Sequence, residues 1–204
     1  MDIKQKLLTL IPSKEEFITD SYIDEVLITA RWCHHGNDIV HFIDDVLLDT
    51  DEIKHLANKG VEVITAAPEF RRYFKRWLSL RYDYVLGELK DEISSDTLTL
   101  KRAVYLTDEE ILAVRNRSKK DVGVYWTTGS PNAYNVAPEA SAGKKEYILT
   151  AKVRIEDVNW HETLVSRFDY SNGDDEMEIN LSEMPLPTIT EIADEYKEPI
   201  GFAA

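Results

Sequence analysis

The spacing of apolar residues in the first half of the chain predicts helices. The first helix is expected to begin at Ser13-x-x-Glu16, where the Ser hydroxyl and the Glu carboxylate can bond backbone N–H groups that a helix start leaves without partners. A second is expected from about Thr50 to Lys59 and to end at Gly60, since glycine is common just beyond a helix C-terminus. Helical periodicity after Ser13 is carried by the apolar residues at positions 17, 18, 22, 26 and 30.

A third and longer helix is predicted to begin at Pro68, because proline is well suited to the first turn of a helix. Five basic residues lie between Arg71 and Arg81, and such a cluster could contact phosphate or an acidic partner. We favour a structural amphipathic helix whose basic face is solvated. Its apolar residues are expected near one face: Phe70, Phe74, Trp77, Tyr84 and Leu89.

Beyond residues 94–98 the pattern changes to short runs that are typical of β-strands. Thr107-x-x-Glu110 is a second helix-capping pattern and predicts a short helix that ends near Asn116. Strands separated by loops and a few helices indicate an α+β fold, with a helical region at 1–95 and a mostly β domain at 96–204. The predicted strands are TLTLKRAVYL (97–106), VGVYWTT (122–128), EYILTAKVRI (146–155) and MEINL (177–181).

Composition is that of a soluble globular protein, with 43% apolar and 30% charged residues in a chain of 204. No apolar run approaches the ~18 residues that cross a bilayer, and the N-terminus lacks the features of a signal peptide. Cys33 is the single cysteine, which excludes an intrachain disulfide and suits a reducing compartment. We therefore expect a cytoplasmic protein with no membrane partner.

The formal net charge of −14 is spread along the whole chain. Residues 1–98 and residues 99–204 each hold 12 basic and 19 acidic side chains. A negative field of this kind repels a phosphate backbone, so nucleic acid is an unlikely partner.

A candidate metal site, Cys33-His34-His35 with His41, does not have the spacing of known zinc motifs, and the chain has no second cysteine. We interpret this segment as a helix end with exposed histidines. Glycine-rich phosphate loops, dinucleotide fingerprints and the hydrolase Gly-x-Ser-x-Gly motif are also missing from the sequence.

The second half contains three polar features in a fixed order. Arg102 lies in the first predicted strand, Thr127 and Thr128 end the next, and Glu176-x-Glu178 begins the last. Residues i and i+2 of a strand point to the same face, so the two glutamates would share one space. Read alone, the same residues could be the polar face of an edge strand, with Arg102 as an ion-pair partner.

This order resembles the Arg, Ser-Thr-Ser, Glu-x-Glu pattern of mono-ADP-ribosyltransferases, and phage-encoded members in particular. The resemblance covers about residues 97–200, and the segment 151–164 is also similar to phage members. It implies a split β-sandwich, NAD as the substrate and no metal. The chain departs from the pattern where it has Trp126-Thr127-Thr128 in place of Ser-Thr-Ser.

By this resemblance, Arg102 would hold the phosphate or ribose of NAD, a task that suits a guanidinium fork. Thr127, with Thr128 beside it, would correspond to the hydroxyl motif that orders the nicotinamide pocket. Tyr125 or Trp126 would pack against the nicotinamide ring.

The resemblance makes Glu178 the central catalytic group, with its carboxylate on the ribose 2′-hydroxyl, where it would stabilise the positive charge that develops as nicotinamide leaves. Glu176 would orient or deprotonate the acceptor. Phe168 and Tyr170, in the preceding loop, would contact that acceptor.

The function that the resemblance implies is transfer of ADP-ribose from NAD to a host macromolecule. The favoured acceptor is an arginine of a protein. An NAD glycohydrolase of the same fold is one alternative. A non-enzymatic acidic interaction or inhibitor protein from a phage is another. The sequence leaves the acceptor and the oligomeric state open.

Overall fold

The computed structural model describes residues 2–32, 51, 53–56, 59–118, 122–131, 142–168, 177–182 and 188–193. Two compact units divide the chain. The first consists of Met1–Ser94 with Arg167–Gly173, and the second of Ser95–Ser166 with Asp174–Ala204. The described residues form a mixed α+β structure with a helical N-terminal part and one antiparallel sheet.

The described part of the first unit is mainly helical up to Glu92, and its first capping pattern is confirmed. Ser13 Oγ accepts from the backbone N–H of Glu16, and the Glu16 carboxylate accepts from the backbone N–H of Ser13 at 2.8 Å. The helix that follows is shorter than expected, because a break at Ile18 and Thr19 divides it into two. The helices and turns among the described residues up to 92 are Ile3–Leu10, Lys14–Phe17, Asp20–Trp32, the 3₁₀ turn Lys54–Leu56, Val61–Ala66 and Pro68–Glu92.

The predicted helix that ends at Gly60 is wrong. Lys54–Leu56 is a single 3₁₀ turn, and Gly60 is the residue before the helix Val61–Ala66. Its backbone is extended, with φ −66° and ψ 150°, as is usual for the residue that caps a helix start. Glycine alone therefore does not distinguish the two ends of a helix.

The long helix Pro68–Glu92 begins at the predicted proline. Its basic residues bond acids of the helix Asp20–Trp32: Arg71 lies 2.6 Å from Asp24, and Lys75 lies 3.2 Å from Asp20. This supports a structural amphipathic helix. Tyr84 was expected near the apolar face but is half exposed. The buried face consists of Phe70, Phe74, Leu78, Tyr82, Val85 and Leu89.

The described part of the second unit contains a five-stranded antiparallel sheet, whose strands are β1 (Thr97–Leu106), β2 (Tyr125–Thr127), β3 (Lys145–Arg154), β4 (Glu178–Asn180) and β5 (Thr188–Ala193). Its two long strands pair along their whole length, from Thr97 opposite Arg154 to Leu106 opposite Lys145. The order of the strands across the sheet is β4-β2-β1-β3-β5.

One face of this sheet holds the apolar core, which we call the core face. It follows the alternation of β1, in which Leu98 and Leu100 are buried while Thr97, Thr99 and Lys101 are exposed. The register brings further buried residues to the same face: Trp126 of β2, Leu149 and Val153 of β3, and Ile179 of β4.

Two helices and a 3₁₀ turn are also described after residue 94. Asp108–Arg115 begins at the predicted capping pattern, with reciprocal bonds between Thr107 and Glu110. The 3₁₀ turn Ile155–Asp157, the helix Trp160–Phe168 and strand β5 were not predicted from the sequence. Among the helices described, none is long and apolar enough to cross a membrane.

Candidate functional site

Thr127 and Glu178 lie directly opposite each other on the neighbouring strands β2 and β4. Directly opposed residues of an antiparallel pair point to the same face, so the threonine and the glutamate are side by side. The strand end is fixed by two further bonds. Thr127 Oγ1 accepts from the backbone N–H of Gly129 at 2.9 Å, and the N–H of Thr128 donates to the carbonyl of Met177 at 3.4 Å.

Lys101 extends this pair into a row across three strands. It is the β1 partner of Thr127, so Lys101, Thr127 and Glu178 follow one another on β1, β2 and β4. All three are on the side of the sheet opposite the core face, which we call the Glu178 face. Along the row the exposure changes: Lys101 is exposed, Thr127 is only 8% exposed, and Glu178 is half-buried. The lysine had not been predicted as a site residue.

The two aromatic residues of β2 have different environments. Tyr125 is two residues from Thr127, points to the Glu178 face and is 51% exposed. Trp126 points to the core face, is 2% exposed and donates its indole N–H to the carbonyl of Gly123 at 3.1 Å. Of the two, Tyr125 has a ring that a ligand on the Glu178 face can reach.

Arg102 is on the core face, because it follows Lys101 in an uninterrupted strand and pairs with Leu149. Its guanidinium donates to the backbone carbonyl of Tyr125. It also lies over Gly123, where any Cβ would collide with it. Lys101 and Thr127 are the paired residues of β1 and β2, and Arg102 adds a bond from β1 to the carbonyl of Tyr125, two residues before Thr127. In this position the side chain fixes β2 against β1.

A polar network holds the outer side of β4. The backbone N–H of Asn180 donates to Thr163 Oγ1 at 3.0 Å, and its carbonyl accepts from the N–H of Asn159 at 3.0 Å. Thr163 in turn donates to the carbonyl of Asn159 at 2.8 Å, and the Asn159 amide donates to Ser182 Oγ at 3.0 Å. These residues position the strand that carries Glu178.

Sequence reasoning missed this network. Asn159 precedes a helix and accepts from the N–H of Glu162 at 3.2 Å, which is the usual role of an asparagine at a helix start. The capping preference of asparagine was therefore a usable local signal. The bonds from Thr163 and Asn159 to Asn180 join residues that are 17 and 21 positions apart, and no local pattern predicts them.

Phe168 was expected in the loop that would contact the acceptor. It is instead the last residue of the helix Trp160–Phe168, it is buried, and its ring lies edge-on to Phe17 with 4.9 Å between ring centroids. A ring in that position packs in the core of the first unit, so we no longer assign it to acceptor contact. Tyr170 and Glu176 lie outside the described residues, as do Cys33, His34, His35 and His41.

Within the described ranges, no three His, Cys, Asp or Glu side chains are grouped as metal ligands would be. The chain matches no known protein family, no curated protein and no solved structure. The chemistry of the candidate site is therefore argued from its own residues. It offers a carboxylate, a hydroxyl, an ammonium and an open aromatic ring on one face of a sheet.

Proposed function

We propose that the second unit is an ADP-ribosyltransferase-like domain that transfers ADP-ribose from NAD to a protein, with arginine as the favoured acceptor. One observation carries the proposal: the three strands that hold Arg102, Thr127 and Glu178 are adjacent, in the order β1, β2 and β4 from the centre of the sheet outward. The motif residues are separated by up to 76 positions in the chain, and the sheet places their strands side by side.

In the proposed reaction, the bond between nicotinamide and ribose breaks and nicotinamide leaves with the bonding electrons. Positive charge develops on the ribose, and the Glu178 carboxylate, bonded to the 2′-hydroxyl, stabilises that charge. The acceptor nitrogen then forms the new bond to the ribose carbon and loses a proton, for which Glu176 is the proposed base. The family's split β-sandwich and a cytoplasmic location are parts of the same proposal.

Two side chains receive revised roles in this proposal. Arg102 is a structural residue that holds β2 against β1. Its side chain is on the core face, and its guanidinium bonds the backbone carbonyl of Tyr125. Tyr125, and not Trp126, is the aromatic residue that packs against nicotinamide, because its ring is exposed on the Glu178 face. Thr127 keeps its place beside the catalytic carboxylate.

The test uses NAD labelled on the adenylate phosphate, the purified full chain and a cell lysate. Transfer appears as label on protein after denaturing electrophoresis, and nicotinamide release is measured in parallel. We expect Glu178→Gln to lower transfer by about 100-fold or more, since a lost transition-state contact has an effect of that order. Glu146→Gln is the matched control, because Glu146 is also half-buried in the same sheet but lies on β3.

Each outcome has a distinct meaning. Label that disappears in Glu178→Gln and persists in Glu146→Gln supports the transferase. Release of nicotinamide without labelled protein indicates an NAD glycohydrolase in place of a transferase. Equal transfer by the wild type and Glu178→Gln contradicts the site assignment.

A second candidate function is a non-enzymatic interaction protein on the same scaffold. The observation that favours this second candidate is the bond from the Arg102 guanidinium to the Tyr125 carbonyl. A guanidinium held there does not have the expected role of holding NAD. This candidate predicts no NAD binding by calorimetry and no turnover. Saturable NAD binding by the full chain contradicts it.

A further inference from the structure

The row of Lys101, Thr127 and Glu178 raises the question of which cation on β1 faces a ligand. The sequence holds two adjacent basic residues, Lys101 and Arg102. Adjacent residues of a strand point to opposite faces, so only one of them shares a face with Glu178. The register answers the question, because Lys101 is the direct partner of Thr127.

The surroundings of Lys101 suit an anion. Its partners on the two neighbouring strands are Thr127 and Thr150, both uncharged. Within the described ranges, Lys101 forms no ion pair, whereas Lys145 lies 2.8 Å from Asp108. Lys101 is thus an exposed ammonium at the middle strand of the sheet, in a chain with a net charge of −14.

The spacing of the row also fits a dinucleotide. Neighbouring strands are about 4.8 Å apart, so the backbones at Lys101 and Glu178 are separated by about 10 Å. In NAD, the ribose that loses nicotinamide is joined to the pyrophosphate by a single methylene. A dinucleotide with its ribose at Glu178 and its pyrophosphate directed toward β1 would therefore bring the phosphates within reach of the long Lys101 side chain.

We propose that Lys101 binds the pyrophosphate of NAD, and that Arg102 does not contact the dinucleotide. This inference rests on the proposed function and specifies it, since it assigns the anion-binding role to a residue on the Glu178 face. Lys101 is a substrate-positioning cation in this scheme. Its ammonium donates hydrogen bonds to phosphate oxygens as a charge-assisted contact.

The test measures the Kd of NAD by calorimetry in the Glu178→Gln background, where turnover does not interfere. We expect Lys101→Gln to weaken NAD binding by about tenfold, which is the usual order for a lost bond to a charged group. Lys101→Arg keeps the charge and is expected to stay within about threefold. Lys152→Gln is the matched control, because Lys152 is also an exposed lysine on this side of the sheet, on β3.

The outcomes separate this inference from the proposed function. A Kd for Lys101→Gln within about twofold of its parent overturns the role of Lys101 and leaves the transferase proposal standing. An equal loss in Lys152→Gln also overturns it, because the effect is then one of general charge. Failure of the wild-type chain to bind NAD overturns both proposals together.

Discussion

Arg167 and Glu92 form a buried ion pair with two close contacts in the first unit. Their two contacts are 2.8 Å from Nη1 to Oε2 and 3.0 Å from Nη2 to Oε1, and the two side chains are 9% and 7% exposed. Arg81 adds a bond of 3.1 Å to the carbonyl of Arg167. The contact from Nη2 to Oε1 is a hydrogen bond between charged groups, which restricts the orientation of both side chains.

Removal of one partner of this pair should strongly destabilise the protein. We expect Arg167→Met to lower the free energy of unfolding by about 3–5 kcal/mol, because the buried Glu92 carboxylate loses both of its contacts with the Arg167 guanidinium. Urea denaturation measures the change. Lys4→Met is the control, since its pair with Asp91 is largely exposed and should contribute at most about 1 kcal/mol. The double variant Arg167→Met with Glu92→Leu should regain most of the loss. A double variant as unstable as the single one contradicts this explanation.

Gly123 should not tolerate a side chain. Its φ of +84° is unfavourable for any other residue, and a Cβ would collide with the Arg102 guanidinium. We expect Gly123→Ala to lower the free energy of unfolding by about 1–3 kcal/mol. Removing the arginine as well, in Gly123→Ala with Arg102→Ala, should relieve the collision but not the backbone strain.

Gly87 provides the control for this prediction. It lies inside the long helix Pro68–Glu92, and a Cβ there meets no atom within 4 Å. Gly87→Ala should therefore raise the free energy of unfolding by up to about 1 kcal/mol, since alanine is the better helix former. Thermal or urea unfolding measures both glycine variants. The changes in the free energy of unfolding need not be equal in size for the two variants. A lower free energy of unfolding for Gly87→Ala would contradict the explanation from helix propensity.

Thr163 should contribute to stability through its hydroxyl and not through its size. Thr163→Val leaves the buried N–H of Asn180 without its acceptor, which is expected to lower the free energy of unfolding by about 1–3 kcal/mol. Thr163→Ser retains the hydroxyl and should recover at least half of that loss. Hydrogen exchange at the amide of Asn180 gives a local measurement, and it should accelerate in the valine variant only. Unchanged protection in that variant would exclude the bond.

Asp108 should make stability depend on pH in the acid range. Its hydrogen bond from the Lys145 ammonium, the charge of that ammonium and a bond from Tyr147 lower the pKa of the carboxyl below 3.8. The unfolded chain therefore takes up this proton at a higher pH than the folded chain does. The stabilisation is complete above the unfolded pKa and is lost as the pH falls through the lower folded pKa.

The measurement compares wild type with Asp108→Asn in urea at about pH 7, 5 and 3. The difference in unfolding free energy should be constant between the two higher values and should shrink at the lowest. Lys145→Met removes the main cause and should show the same pH window. A difference that grows on acidification would mean that the sign of the pKa shift is wrong.

Local signals predicted the elements that local chemistry specifies. Ser13 with Glu16, and Thr107 with Glu110, form the expected reciprocal bonds, because a cap needs only residues three positions apart. The break after Ile18 and the position of Gly60 could not be predicted in the same way. Both depend on how neighbouring helices pack, and an apolar spacing fits one continuous helix as well as two short ones.

The sequence alone already indicated which face of the sheet Arg102 occupies. Leu98 and Leu100 alternate with threonines, so the even positions of β1 were already marked as the core face, and Arg102 has an even position. The pairing of Thr127 with Lys101 and with Glu178 had no such signal. It depends on the register of strands that are far apart in the chain, which no single segment determines.

The bonds between Asn180, Thr163 and Asn159 have a consequence for association. β4 is an outer strand of the sheet, and a free outer strand can pair with a strand of another molecule and begin aggregation. Both backbone groups of Asn180 are already bonded, and the neighbouring Glu178 brings a negative charge to the same short strand. A second chain would find no continuous row of donors and acceptors on β4, so the network that positions the candidate catalytic glutamate also closes this edge against intermolecular sheet formation.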